Sequence, residues 1–368
     1  MITRWTRRHR QAAIWGSSIR YLFICTLVTA CERSPVPAPD PAIFREGFSI
    51  AMVGPGETHP QWPGVRGGAL RYAAAVPSVR MQFANPSDST ADSLRQALTA
   101  VLAHQPRAVC LYLAKPSLAD VGGLRANLKM IAREQILIVT MGERFQDTHV
   151  YGYVGADLPG AAERLGDNLP RVAAGRRSYL LLHDSGVTPL ATACYQRFGS
   201  AMRRQRELTL LQERNAAEGK RSPVEIVEEM MKLFPNAGLL VTLDPDVWLD
   251  APPGWTVKLR EINRGFRFVT LSASPQLWPW LGTPAVPGDA AALVEPLDGE
   301  IGFAAVEIAV RALASERQSS PTRWIECEVV RPDNLADFAR RYSAAANGLD
   351  VSAYLRGTID VSTQPAGN

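Results

Sequence analysis

The stretch FSIAMVGPGETHPQWPGVRGGALRYAAA fills residues 48–75. Six apolar or small residues (48–53) are broken by Gly54-Pro55-Gly56, and a run rich in alanine, glycine and apolar residues follows from Trp62. This reads as a strand, a turn and a helix. The same alternation continues downstream. Strand-like runs recur at VRMQFA (79–84), AVCLYL (108–113), ILIVTM (136–141) and SYLLLH (178–183). Later ones are ELTLLQ (207–212), GLLVTL (238–243) and FRFVTL (266–271). Between them Leu94, Leu98, Val101 and Leu102 share one helical face, as do Val227, Met230, Met231 and Phe234, and Ile301, Ala305, Ile308 and Ala312. Near-continuous apolar strands separated by amphipathic helices predict an α/β fold with parallel sheets covered on both faces. No short repeat interrupts the pattern, and the segment after about 346 reads as a loosely ordered polar tail.

Upstream of this body the sequence changes character. Residues 1–20 carry Arg4, Arg7, Arg8, Arg10 and Arg20 and no acidic residue, and YLFICTLVTA (21–30) is apolar or small. A basic stretch followed by a short apolar core is the layout of an export signal. Ten residues are too few for a helix that must cross about 30 Å of hydrocarbon. Cys31 ends the run, and ERSPVPAPDPAIFRE (32–46) holds four prolines. Such a segment reads as an extended tether at roughly 3.1 Å per residue.

The leader also decides how the charge is read. The chain has 40 basic and 36 acidic residues; residues 1–30 hold five of the former and none of the latter, so the remainder carries a net −1. The basicity is therefore an export feature and gives no footprint for nucleic acid. The 338 residues beyond position 30 are enough for two lobes with sizeable cores. Cys110, Cys194 and Cys327 form an odd set unlike a disulfide framework, and Cys110 and Cys327 sit in apolar runs as core residues. No Walker loop, C-x-x-C pair or metal-ligand spacing occurs, so no cofactor or metal is expected. His183-Asp184-Ser185-Gly186 has hydrolase-like letters, but neighbours in one loop do not form a nucleophile relay and no G-x-S-x-G elbow exists. The chain is not expected to be an enzyme.

Two resemblances narrow the reading. Val28-Thr29-Ala30-Cys31 resembles the lipobox of bacterial lipoproteins, which implies acylation of Cys31 and cleavage before it. Glu32 in place of aspartate then leans towards outer-membrane sorting in a Gram-negative cell. The turn His59-Pro60-Gln61-Trp62 and the pair Gly68-Ala69 resemble the opening of type I periplasmic binding proteins, particularly the ribose/galactose-type sugar-binding group. YVGADLPGAAERLGDNL (153–169), IVEEMMKLFPNAGLLVTLD (226–244), LVEPLDGEIGFAAVEIAVRAL (293–313) and VVRPDNL (329–335) are similar to later segments of that family, in its order. The resemblance implies two Rossmann-like lobes joined by three crossover strands. Lobe 1 would be 47–153 plus 297–320 and lobe 2 would be 154–296 plus 321–336; a C-terminal helix and polar tail would fill 337–368.

The resemblance also places a ligand cleft at the carboxyl ends of the strands. Trp62 would either stack on a ligand at the cleft mouth or pack beneath the loop, and His59 would either hydrogen-bond ligand or sit exposed. The family's first aspartate falls on Gly142, with Glu143 or Arg144 either reaching the cleft after a shift of one or two residues or staying solvated. Asp244 lies beside the family's Asn-Asp pair, Ser272 stands at a second aspartate, and Glu295 or Pro296 at a glutamine; Cys194 replaces a ligand arginine. Several sugar-gripping positions are thus altered. Trp248, Trp255, Trp278 and Trp280 would line a wide cleft, form a protein-facing patch, or pack.

The expectation is a monomeric, lipid-anchored solute-binding protein on the periplasmic side of a membrane. It would close around a small polar ligand, such as a carbohydrate, for an ABC-type permease or a membrane sensor. The alternative is a degenerate binding-protein fold acting as a signalling or interaction lipoprotein.

Overall fold

The computed structural model describes residues 47–356, apart from 57–58, 89, 114–120, 146, 219–220, 245, 250, 272–274, 283–287 and 315–320. The leader, Cys31, the tether and Ser272 therefore lie outside the described residues. Among the described residues no helix is long and apolar enough to cross a membrane.

The chain runs β1 (Phe48–Val53), α1 (Trp62–Ala75), β2 (Val79–Ala84), α2 (Ala91–Leu102), β3 (Ala108–Leu113), α3 (Val121–Arg133), β4 (Leu137–Gly142) and β5 (Gly152–Ala156). It continues with α4 (Leu158–Ala173), β6 (Ser178–His183), α5 (Pro189–Met202), β7 (Thr209–Asn215), α6 (Pro223–Leu233), β8 (Leu239–Thr242), α7 (Asp246–Leu249), α8 (Trp255–Ile262) and β9 (Phe268–Leu271). After a 3₁₀ turn (Pro275–Leu281) come β10 (Ala290–Pro296), α9 (Asp298–Leu313), β11 (Thr322–Ile325), β12 (Cys327–Val330), α10 (Leu335–Ala345) and α11 (Ser352–Arg356).

These strands form two six-stranded sheets. Lobe 1 has the order β2-β1-β3-β4-β5-β11, and lobe 2 has β7-β6-β8-β9-β10-β12. Every pairing is parallel except β10 with β12. Each sheet is a doubly wound unit with its switch point between the second and third strands of the order, β1 and β3 in lobe 1 and β6 and β8 in lobe 2. The chain passes between sheets three times: after β5, between β10 and α9, and between β11 and β12. The division expected at 320/321 is corrected, because Thr322–Ile325 pairs in parallel with β5 in lobe 1 and only Cys327–Val330 joins lobe 2. Likewise β5 extends lobe 1 to Ala156.

Burial on both faces explains the apolar strands. All six residues of AVCLYL are buried, and Val109 and Leu111 face a layer with Leu98 of α2 and Leu128 and Ile131 of α3. On the other face α1 and α9 meet backbone to backbone. A Cβ on Gly68 would lie 1.7 Å from the Gly299 carbonyl oxygen, and one on Gly302 would lie 1.8 Å from that of Val65. The glycine of the Gly68-Ala69 pair is required by this approach, not by backbone dihedrals.

Lobe 2 is filled differently. One face packs Leu165 and Leu169 of α4 and Phe198 of α5 on alternate strand residues such as Leu181 and Val241. The other buries Trp248, Trp255 and Trp278 with Phe268 and Phe338, and Trp280 packs against them. Trp248, Trp255 and Trp278 are core residues, and Trp280 is half-buried against them. The tail beyond 346 is ordered further than its polarity implied: Val351 is buried, and Leu349, Tyr354 and Leu355 pack on the same layer.

Candidate functional site

The carboxyl ends of both sheets face a cavity of about 160 Å³. Lobe 1 contributes His59, Gln61, Tyr112 and Glu143, and lobe 2 contributes Asp184, Cys194 and Asp244. The remaining walls are aliphatic, with Leu113, Leu158, Leu190, Leu243, Leu271 and Ile301. A larger open groove of about 1130 Å³ lies at the opposite ends of β3 and β4, beside Arg107 and Leu137. Open α/β sheets bind ligands outside the carboxyl ends of their strands, near the switch point, and the smaller cavity occupies that place in both lobes.

Lobe 1's side is built by a turn and a strand end. The His59 carbonyl accepts from the Trp62 amide at 3.1 Å as α1 begins, and Gln61 accepts the Tyr112 hydroxyl at 2.6 Å. The rings of His59 and Tyr112 lie 5.4 Å apart. Burial lowers the His59 pKa to about 4, so the imidazole is neutral at pH 7. Its Nδ1 has no hydrogen-bond partner among the described residues. Tyr112 is pushed well above the ordinary phenol range by burial and then by nearby Asp298, Tyr153 and Glu143.

Gly142 explains why Glu143 reaches the cavity. Its φ of +79° turns the chain at the end of β4, where a Cβ would lie 2.4 Å from the Leu113 carbonyl oxygen. The Tyr153 hydroxyl donates to the Gly142 carbonyl at 2.7 Å, and the Glu143 amide donates to Leu113 at 2.9 Å. The turn places Glu143 in the lining.

Lobe 2 holds its carboxylates on braced loops. Asp184 is 6% exposed and follows β6 directly. The Ser185 amide donates to His183 Nδ1 at 3.2 Å, which leaves Nε2 to donate to Glu213 at 3.2 Å. Tyr195 also donates to Glu213, at 2.6 Å, and Asn215 donates to the Ser185 carbonyl at 2.8 Å. Burial lowers the His183 pKa despite Glu213, so this brace carries a neutral imidazole at pH 7. Asp244, 8% exposed, follows β8, where the Leu243 amide donates to Leu182 at 2.9 Å. The Cys194 thiol is raised to about 12 by burial, and then by Asp184 of its own lobe and Glu143 of the other.

The expected site residues thus divide. His59, Glu143 and Asp244 line the cavity. Trp62 does not: it is 3% exposed, with its indole against Gly54, where a Cβ would lie 2.5 Å away. Its role is packing beneath the turn. Arg144 is exposed, with its guanidinium 5.9 Å from the Trp324 ring, outside the lining. Glu295 is fully buried and accepts from Trp278 Nε1 at 3.2 Å. Strand alternation sends it to the tryptophan layer shared by Leu293, while Val294 faces the α4 side. Gln61, Tyr112 and Asp184 were missed, although a residue following a strand's carboxyl end, as Asp184 does, is the positional signal for the cleft. Among the described residues no group of three or more histidine, cysteine or acidic side chains is placed to hold a metal.

Two sheets of like order, crossed three times by the chain and facing each other across a cavity at their carboxyl ends, define the type I periplasmic binding protein fold. Solved structures with this arrangement include AraP, an arabinose-binding protein from Geobacillus stearothermophilus, at a TM-score of 0.66 and 11% identity, covering 79% of this chain and 99% of that one. GanP, a glucose-galactose binding protein from the same organism, gives 0.61 and 16%, with the same coverage. A putative LacI transcriptional regulator from Bacteroides fragilis gives 0.59 and 11%, again over 79% and 99%. No protein-family model and no curated protein sequence matches the chain.

Proposed function

We propose that this chain is a solute-binding protein whose lobes close around a small polar ligand. The observation that carries the reading is one cavity lined by polar groups of both lobes at the strand ends. A ligand touching both lobes favours the closed arrangement by its differential affinity for it, which turns occupancy into a change of shape. Acylation at Cys31 would hold the protein on the periplasmic side of a membrane, the outer membrane in a Gram-negative cell. There it would act as a monomer beside an ABC-type permease or a membrane sensor. Solved structures of this fold that bind arabinose, or glucose and galactose, support a solute-binding role, and no step of this reading requires catalysis.

One observation favours the second reading, an interaction or signalling lipoprotein without a small ligand. The cavity of about 160 Å³ is below the range of roughly 300–1,000 Å³ usual for ligand pockets. A thermal-shift screen of monosaccharides, amines and small metabolites on the purified protein separates the two. A ligand at 100 times its Kd stabilises the folded state by about 2.7 kcal/mol, and at least one compound is expected to give a saturable shift. A folded protein with no shift across the screen would favour the second reading.

A further inference from the structure

The strand ends that face away from the cleft carry an uneven charge. In lobe 2, Arg176 and Arg177 precede β6, Arg206 precedes β7, and Arg264 and Arg267 precede β9. Arg177, Arg206 and Arg264 are exposed, and Arg176 and Arg267 are half-buried. Arginines at the neighbouring helix ends are matched, Arg204 by Asp167 at 2.8 Å and Arg260 by Asp289. The five loop arginines form no ion pair among the described residues; Arg176 donates to the Ala173 and Gly265 carbonyls instead, at 3.3 and 3.5 Å. Glu207 and Glu261 are the acidic residues interspersed with them.

Contacts join the three loops into one band. Arg176, Arg177 and Arg206 line a cavity of about 570 Å³ together with Glu207. Arg176 crosses the start of β8, where a Cβ on Gly238 would lie 2.7 Å from its own, and reaches Gly265 in the loop before β9. There Arg267 is lowered from the ordinary guanidinium value by burial and then by the charge of Arg176, with Asp289 opposing and Arg260 adding to it. The band spans β7-β6-β8-β9, roughly 14 Å at about 4.8 Å per strand. The fold itself does not require this charge. In lobe 1 the equivalent loops, 76–78 before β2 and 134–136 before β4, hold no arginine and one glutamate, Glu134. Helices α4, α5 and α8 do end here, but each C-terminus presents only about half a negative charge. Arg171, Arg203 and Arg260 already stand at those three ends. The loop arginines are in excess.

We propose that this end of lobe 2 is a docking surface for the phosphate head groups of an anionic membrane, engaged through Arg176, Arg177, Arg206, Arg264 and Arg267. Guanidinium forks match phosphate oxygens two at a time. A single phosphate in the cavity between Arg176 and Arg206 would leave the arginines before β9 unmatched, whereas a plane of head groups meets all three loops. Leu210, 40% exposed and next to Thr209 of the cavity wall, adds an apolar side chain at the edge of the band. The inference does not depend on whether the cleft holds a ligand. The membrane-side location proposed for the chain would bring such a surface within its reach.

Co-sedimentation with vesicles of phosphatidylcholine, with and without phosphatidylglycerol, tests this on the full chain carrying Cys31→Ser, which removes the expected acylation site. Hydrogen exchange in the same samples reads residues 174–177, 205–208 and 263–267, and so separates this end of lobe 2 from the basic leader. Phosphatidylglycerol vesicles are expected to slow exchange in those loops, and high salt should reverse the effect. Arg177→Gln, Arg206→Gln and Arg264→Gln together, all at exposed positions, should abolish that protection and weaken vesicle binding at least about tenfold. Arg80→Gln, Arg95→Gln and Arg133→Gln together remove the same charge from exposed positions of lobe 1 and should leave the protection intact. Loops that stay unprotected on phosphatidylglycerol, or a lobe 1 variant as damaging as the lobe 2 variant, would overturn the proposal. Protection by polyglutamate or by inorganic pyrophosphate, but not by vesicles, would overturn it too, and would assign the arginines to an acidic protein segment or a soluble phosphate.

Discussion

The two lobes share a strand order but solve their packing in opposite ways. Lobe 1 presses α1 onto α9 until the Gly68 and Gly299 backbones touch. On its tryptophan-bearing face lobe 2 is filled with indoles: Trp248 stacks on Phe268 with ring centroids 3.7 Å apart, and Trp278 meets Tyr342 edge-on at 5.3 Å. One topology therefore admits a core limited by lack of room and another limited by the need to fill it. Damage to lobe 1 should come from added atoms, and damage to lobe 2 from removed ones.

The largest expected effect tests the filled side. Trp248→Ala removes a buried indole and its 2.7 Å hydrogen bond to Thr242, and should cost about 3–5 kcal/mol in urea unfolding. A cost below about 1 kcal/mol would mean that lobe 2 collapses onto the gap and the contrast is false. Next, Gly68→Ala in lobe 1 should cost about 1–3 kcal/mol or more, since its methyl meets backbone, not a yielding side chain. Ordinarily glycine to alanine in a helix interior is favourable by about 1 kcal/mol, so a stabilised variant would break the comparison.

The smallest effect concerns pH where the lobes join. Asp298 begins α9 and Glu295 is the penultimate residue of β10, and both are fully buried. Burial raises Asp298 to about 7, and burial followed by the charge of Asp298 raises Glu295 well above the carboxylate range. The folded state then binds more protons than the unfolded state above pH 4. Stability from these groups is fully present below about pH 4 and falls as pH rises to about 7 for Asp298, and further for Glu295. His59 acts in the other direction: held neutral, it costs stability as pH falls from about 6.5 towards 4. Glu295→Gln should flatten the alkaline decline in denaturation midpoints measured from pH 5 to 8. An unchanged slope would show that Glu295 does not supply it.

The sequence disclosed the strands well and the cleft poorly, for one physical reason. An interior strand buried on both faces is apolar at every position, as in AVCLYL, and any misjudged boundary still lies within a run. A cleft residue depends on single dihedrals and on parity. Glu143 enters the cavity because Gly142 has a positive φ, and Glu295 leaves it because it shares a strand face with Leu293. Trp62 has the right composition for a sugar platform, yet Gly54 admits its ring beneath the turn. Asp184 is legible in principle, being the first residue after an evident strand, but no motif distinguishes it within His183-Asp184-Ser185-Gly186.

Cys110, Cys194 and Cys327 are all buried as free thiols, with the first two raised to about 12 by burial and the third raised well above its ordinary value. Almost no thiolate is present on these three at neutral pH, so in the folded state they react slowly with oxidants and alkylating reagents. The three sulfurs are distributed over β3 in lobe 1, the cavity wall, and β12 beside the third crossover. Each therefore serves as a built-in timer of exposure for its own region. The rate at which a thiol reagent reaches each one reports separately how often lobe 1, the cleft and the crossover breathe, with no label added to the protein.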